Sequence, residues 1–194
     1  MAKKKEIKTN AMRFLDDNNV EYTHFEFDAT SDAAKTGVGV ADIIGRNHNQ
    51  VFKTIMTTDG KGNYVVGVLM SEDNINFKKL AKAAGLKSLS MLPLKDLTKI
   101  TGYVKGGCSP FAMKKLFPTF VDDRCREVET IIVSAGKVGH QVEVKPETEE
   151  GLYPNCALYA AVSSYTSCNK LIPVFVNATS PVSNCPACVI SWTK

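Results

Sequence analysis

The 194-residue sequence predicts an α+β protein: a mixed, largely antiparallel sheet of about seven strands with short flanking helices. Three observations predict it. Strand-like segments recur with apolar/polar alternation or short apolar runs. The helix-period segments between them are short and irregularly placed, so no βαβ repeat is built. Two apolar runs, 51–57 and 64–70, flank Asp59-Gly60-Lys61-Gly62-Asn63, which is the pattern of a hairpin with a glycine-containing loop.

Taken in order, Ala11, Phe14 and Leu15 recur at i, i+3, i+4, and Thr9 or Asn10 can cap a short helix that Asn18-Asn19 ends. Residues 21–27 alternate, with Phe25 and Phe27 on one side of a strand. Residues 29–50 are rich in Gly, Asp, Asn and Ser and hold one apolar patch, Val40, Ile43 and Ile44, which predicts a short helix between loops. After the hairpin, Phe77, Leu80, Ala81 and Ala84 fall on one helical face, and Gly85 is placed to close that helix. Residues 88–92 form a short strand. Leu94, Leu97 and Ile100 share a helical face after Pro93, which suits a first turn. Residues 120–122, 130–134 and 140–144 complete the strands, the last two joined by Gly136-Lys137-Val138-Gly139.

The bulk composition is globular, 44% hydrophobic and 23% charged, and suits one domain with a substantial core. The net charge is +4. Residues 147–194 carry two lysines against three glutamates, −1, which leaves +5 on residues 1–146. That excess is compatible with an anionic partner. No run approaches 18 apolar residues, so no membrane span is expected. The basic start, Met1-Ala2-Lys3-Lys4-Lys5, runs into a polar stretch and not an apolar one, against a secretory signal. A cytoplasmic protein with six reduced cysteines is the expectation.

The densest chemical signal is Thr101-Gly102-Tyr103-Val104-Lys105-Gly106-Gly107-Cys108-Ser109-Pro110. Gly106-Gly107 permits positive φ and close backbone approach, and Pro110 fixes the exit. Such a loop is either a tight structural turn or a set of main-chain N–H groups aimed at an anion or carbonyl. Lys53 stands in an otherwise apolar and threonine-rich strand, either as a solvated outward residue or as a cation reaching phosphate or carboxylate. Cys108 and Ser109 are poor candidates for nucleophiles. A serine needs an oriented base, and His24, His48 and His140 sit in no triad signature. Cys185-Pro186-Ala187-Cys188 has the spacing of half a zinc knuckle, but Cys156 and Cys168 do not complete a specific pattern, so neither metal nor cofactor is expected. Asn177-Ala178-Thr179 fits a glycosylation acceptor that a chain without a secretory signal would not use, and Asp122-Asp123 fits strand-end solvation.

These blocks in this order resemble the YbaK/EbsC-type aminoacyl-tRNA deacylases, relatives of the editing domain of bacterial prolyl-tRNA synthetase. The residues that carry the resemblance are Gln50-Val51-Phe52-Lys53-Thr54, the run 77–85, Thr101 to Pro110, and Ile131-Ile132-Val133-Ser134-Ala135-Gly136-Lys137. It spans about residues 9–146. The resemblance implies hydrolytic removal of a wrong amino acid from tRNA, most often Cys-tRNA(Pro), with tRNA as partner, prolyl-tRNA synthetase as a plausible second partner, and no DNA or membrane. It assigns Lys53 to the phosphate and ribose of the tRNA 3′ end, with Thr54 following in the same pocket. It assigns Gly106 and the segment Gly107, Cys108, Ser109 and Pro110 to the loop that holds the aminoacyl carbonyl and terminal adenosine. Ser134 becomes a pocket serine. Lys53 and Gly106 are thus the catalytic expectation; Thr54, Gly107, Ser109, Pro110, Ser134 and Phe25 are the substrate-binding one. In Cys-specific members the substrate's own thiol attacks its ester carbonyl, so no protein nucleophile is implied.

The sequence departs from this family in three places. Phe25 stands where relatives often carry tyrosine. Gln141 stands where aspartate is common. The likeness stops just after Glu147, where a helix start has no body. The division expected is therefore an editing domain over 1–147 and a tail over 148–194, either a natural divergence or an out-of-frame reading. A non-catalytic tRNA-end or synthetase-binding module, or a deacylase for another amino acid such as alanine, are the competing functions.

Overall fold

The computed structural model of the chain describes residues 7–146 and 157–159. The elements follow the sequence pattern closely. Helix α1 (Asn10–Asp17) is capped by the Thr9 hydroxyl, which accepts the Met12 N–H at 3.2 Å, and buries Ala11, Met12 and Leu15. Strand β1 (Thr23–Glu26) follows. Helix α2 (Gly37–Ile44) fills the Gly/Asp/Asn-rich region, with the Thr36 hydroxyl capping it and Gly45 closing it at φ 67°. Two short 3₁₀ turns, Ala33–Lys35 and His48–Gln50, flank it.

Strands β2 (Phe52–Thr58) and β3 (Tyr64–Met70) form the expected hairpin, paired from Phe52↔Met70 to Thr58↔Tyr64. Helix α3 (Phe77–Ala83) ends as Gly85 predicts. The Gly85 N–H reaches the Lys82 carbonyl at 3.2 Å and the Leu86 N–H reaches that of Ala81 at 2.8 Å, the two bonds of a Schellman closure. Strand β4 (Ser90–Met91), helix α4 (Leu94–Thr101), and strands β5 (Thr119–Val121), β6 (Ile131–Ser134) and β7 (His140–Val144) complete the order through residue 146. Pro93 is the residue just before α4 and not inside its first turn.

One sheet runs β4-β2-β3-β5 and continues to β8 (Ala157–Tyr159), which pairs parallel with β5. The other runs β1-β7-β6 and is antiparallel throughout. A parallel bridge between Val51 and Ile132 joins them, so β2 runs beside β6. The main core lies on one side of this assembly: Phe52, Met56, Val66, Val68, Ile131, Val133, Val142 and Val144 pack with Met12, Leu15 and Phe111. On the other side α3 covers Leu69 through Leu80 and Ala81, and α2 covers Val51 and Ile132 through Ala41. Strand residues alternate between these two sides because successive side chains point to opposite faces. Among the described residues no helix is long and apolar enough to cross a membrane.

Candidate active site

The strand registers assemble a row of side chains from four strands. Phe25 on β1 pairs with Gln141 on β7, and Gln141 pairs with Ser134 on β6. Directly paired residues share a face. Two residues beyond the Val51–Ile132 bridge, along the parallel strands, stand Lys53 on β2 and the same Ser134. Phe25, Gln141, Ser134 and Lys53 therefore follow one another across the sheet. In the next row, Thr23, Glu143, Ile132 and Val51, the last two pack against α2. The first row is half-buried at each position, whereas Ile132 beneath α2 is fully buried.

Lys53 emerges on the outer face beside Leu69, its partner in the hairpin. Its ammonium donates to the Ser71 carbonyl at 2.9 Å. An ammonium has three N–H donors, and Ser71 takes one. Burial pushes the Lys53 pKa below its ordinary value. Ser71 also backs the start of α2: a side chain at Gly37 would place its Cβ 1.9 Å from the Ser71 Cβ. The glycine is there because helix and hairpin end must touch. The hairpin register brings Ser71 to this place, and that register is the sequence signal by which it could have been found.

Thr54 is not brought to this row. It follows Lys53 by one residue and so turns to the side that carries Phe52 and Met56, opposite Val68. Its hydroxyl is buried without a hydrogen-bond partner. Gln141 presents a similar feature within the row, a buried Oε1 with no donor.

The glycine loop folds back onto the end of the β6–β7 hairpin. Gly102 closes α4 at φ 87°, and Gly106 takes φ 81°. A Cβ at Gly107 would lie 3.1 Å from the Val138 nitrogen and 3.3 Å from the Lys137 backbone, so the two loops approach so closely that a side chain would push them apart by a few tenths of an ångström. Tyr103 holds the arrangement. Its hydroxyl donates to the Phe111 carbonyl at 2.6 Å, and its ring lies where a Cβ on Gly136 would come within 2.8 Å. Loop and turn thus meet two to four residues beyond Ser134. The Ser134 hydroxyl accepts the Gly136 N–H at 3.3 Å.

Within the loop, Gly106 is exposed, Cys108 and Pro110 are half-buried, and Gly107 and Ser109 are buried. The Ser109 hydroxyl accepts the Phe111 N–H at 3.3 Å. Burial pushes the Cys108 thiol up to about 12. A thiol in that range is protonated at neutral pH and a poor nucleophile. The histidines stand elsewhere. His24 and His140 share a 3.0 Å Nε2–Nδ1 contact on the reverse side of β1 and β7, behind Phe25 and Gln141. His48 contacts Asp42 at 2.7 Å. Among the described residues no group of three or more His, Cys, Asp or Glu side chains is placed to hold a metal ion. Cys156, Cys168, Cys185 and Cys188 lie outside the described residues.

What this arrangement can do follows from its parts. A half-buried cation stands at one end of a partly open row, Ser134 stands next to it, and the glycine loop folds onto the turn that follows Ser134. Fold and side chains together define an α+β domain with a half-buried polar row on one face of its sheet. The sequence profile of the aminoacyl-tRNA editing domain matches residues 31–151. The chain is 46% identical over 148 residues to an Enterococcus faecalis protein named "Putative Cys-tRNA(Pro)/Cys-tRNA(Cys) deacylase EbsC", covering 76% of this chain and 90% of that one. The chain belongs to the aminoacyl-tRNA editing domain family. Solved structures share the fold at low identity. A "putative trans-editing enzyme for prolyl tRNA synthetase" superposes with a TM-score of 0.61 at 16% identity, over 73% of this chain and 89% of that one. The "hypothetical protein APE2540" gives 0.64 at 17%, over 71% and 89%.

Proposed function

We propose that the protein removes a wrongly attached amino acid, cysteine foremost, from the 3′ end of tRNA(Pro), and that the row from Lys53 to Phe25 with the 106–110 loop is where it does so. One observation carries the reading. Lys53, a half-buried cation, falls in register with Ser134, and the glycine loop folds onto the turn that Ser134 begins. Family membership and the name of the Enterococcus faecalis relative support the substrate class.

In this reading Lys53 binds phosphate or ribose oxygens of the terminal nucleotide as a point charge. The Gly107 N–H already donates to the Val104 carbonyl at 3.0 Å; the other loop N–H groups face the ester carbonyl and stabilise the charge that grows on its oxygen, and one such donor is worth roughly 3–4 kcal/mol in a dry site. The substrate cysteine's thiolate attacks its own carbonyl carbon. The ester C–O bond breaks, the ribose hydroxyl leaves with a proton, and the thiolactone formed is hydrolysed by water. The enzyme's share is positioning. The high Cys108 pKa and the engaged Ser109 hydroxyl support a route without a protein nucleophile.

The editing unit of this proposal is residues 1–147, with 148–194 as a tail; it works in the cytoplasm and draws on prolyl-tRNA synthetase for tRNA selection. Phe25 and Gln141 stand in the places of tyrosine and aspartate and bear on the amino acid accepted, for which alanine is the second candidate to try. Incubation with Cys-tRNA(Pro), Ala-tRNA(Pro) and Pro-tRNA(Pro) tests it. The expected result is fast loss of cysteine with proline retained. Loss of alanine alone would reassign the amino acid, and loss of none would leave a tRNA-end binding module.

A further inference from the structure

At the far end of the row from Lys53 stands an arginine held in place by other side chains. Arg46 follows α2 directly after Gly45, and its Nε and Nη2 donate to Glu143 Oε2 at 3.2 and 3.1 Å. The other oxygen of that carboxylate accepts the Thr130 hydroxyl at 2.6 Å, and Thr130 Oγ1 in turn accepts Gln50 Nε2 at 2.7 Å. Glu143 is thereby fixed, with its side chain 11% exposed, while that of Arg46 keeps 38%. The guanidinium carbon lies 5.1 Å from the centroid of the Phe25 ring. Glu143 belongs to the row beside Gln141 and shares its face.

We infer that Arg46 and Phe25 form a second binding point for the single-stranded RNA 3′ end, in which the guanidinium takes a backbone phosphate and the ring and guanidinium plane offer a stacking surface to a base. The inference rests on the proposed tRNA substrate and adds Arg46, which the proposed site does not include, to Phe25, which it does. Three features argue for it. Arginine presents five donors in a planar fork, and Glu143 engages only two, so an anion can be bound without breaking the clasp. An arginine laid over an aromatic ring is the stacking unit that unpaired bases use. Three strand spacings separate Phe25 from Lys53, about 14 Å, so Lys53 and the Arg46 beside Phe25 stand at opposite ends of the row. Lys53 and Arg46 therefore hold different parts of one strand, and the strand crosses Gln141 and Ser134 between them. Glu143 is the positioning residue, acting through Arg46.

The test uses the full chain, an uncharged single-stranded RNA ending in CCA, and charged tRNA. Arg46→Ala is expected to weaken RNA binding about tenfold, the scale of one charge-assisted contact. It should also reduce the slope of log affinity against log salt by about 0.7, one phosphate on a single strand. In deacylation the loss should fall on KM more than on kcat. Glu143→Gln should show a smaller version of the same split, and Arg46→Lys should recover the salt slope but not the full affinity. A structural clasp alone would lower the melting temperature and leave the salt slope intact; that result, or Arg46→Ala binding RNA as tightly as the native chain, overturns the inference. If the native chain binds the RNA with this salt dependence yet deacylates no charged tRNA, the deacylase reading fails and the binding point stands.

Discussion

Strands β2, β6 and β7 carry two unlike regions on opposite sides of the same backbone. On one side Phe52, Met56, Ile131, Val133, Val142 and Val144 are packed to at most 3% exposure, with the Thr54 hydroxyl as a polar group among them. On the other, one residue away along each strand, stand Lys53, Ser134 and Gln141, half-buried and polar. The difference teaches how the fold separates stability from chemistry. Period-two alternation lets every strand commit one face to the core while the other is free to hold groups that cost stability. The orphaned Gln141 Oε1 and the cation at Lys53 with its depressed pKa are costs of that kind.

Substitutions on the two faces should therefore separate. The largest effect is expected from Ile131→Ala, a fully buried core position, which should cost about 2–5 kcal/mol of unfolding free energy in a urea titration. Deacylation per folded molecule should stay at the native level. A large drop in specific activity with small loss of stability would break the division between faces. Next comes Gly107→Ala. Its φ is ordinary, but its Cβ would press on the Lys137–Val138 backbone, so loop and turn must part by a few tenths of an ångström. We expect about 1–2 kcal/mol lost, as for modest overpacking, and a drop in activity roughly tenfold beyond it, since small misplacement of donors is costly. Activity equal to the native protein would show that the loop's contact with the turn does not position its amides. The smallest effect is expected from Thr54→Val. Replacing a buried hydroxyl without partner by a methyl group should raise stability, by at most about 1 kcal/mol, with turnover unchanged. A loss of turnover would place Thr54 in the pocket despite its side of the strand.

Much of this was legible in the sequence, and the gaps have physical reasons. Thr9, Gly85 and the Asp59–Asn63 turn act locally, so cap, closure and hairpin could be read from a few neighbouring residues. Lys53, Phe25, Ser134 and the glycine loop were visible as residue types and through family resemblance. Their grouping was not visible, because it depends on pairings between segments about 80 and 116 residues apart, Val51 with Ile132 and Phe25 with Gln141. Thr54 is the instructive case. The family block places it beside Lys53, yet strand alternation sends the two to opposite faces. Arg46 lay in a polar stretch with no periodicity, and only its clasp to Glu143, 97 residues on, marks it. The tail from residue 148 is described only at 157–159, where it adds a strand beside β5.

The central claim is that Lys53 serves the site and not the fold. Lys53→Ala measured on Cys-tRNA(Pro), with a melting curve at neutral pH alongside, tests it directly. Because burial lowers the lysine's pKa, its charged form is disfavoured in the folded state and opposes folding at any pH below that lowered value. Removing it should leave the melting temperature no lower than the native one, while kcat/KM falls by about 100-fold or more, the scale of losing one main electrostatic contact. Full activity in the variant, or a loss of activity that only follows a loss of folding, would contradict the account.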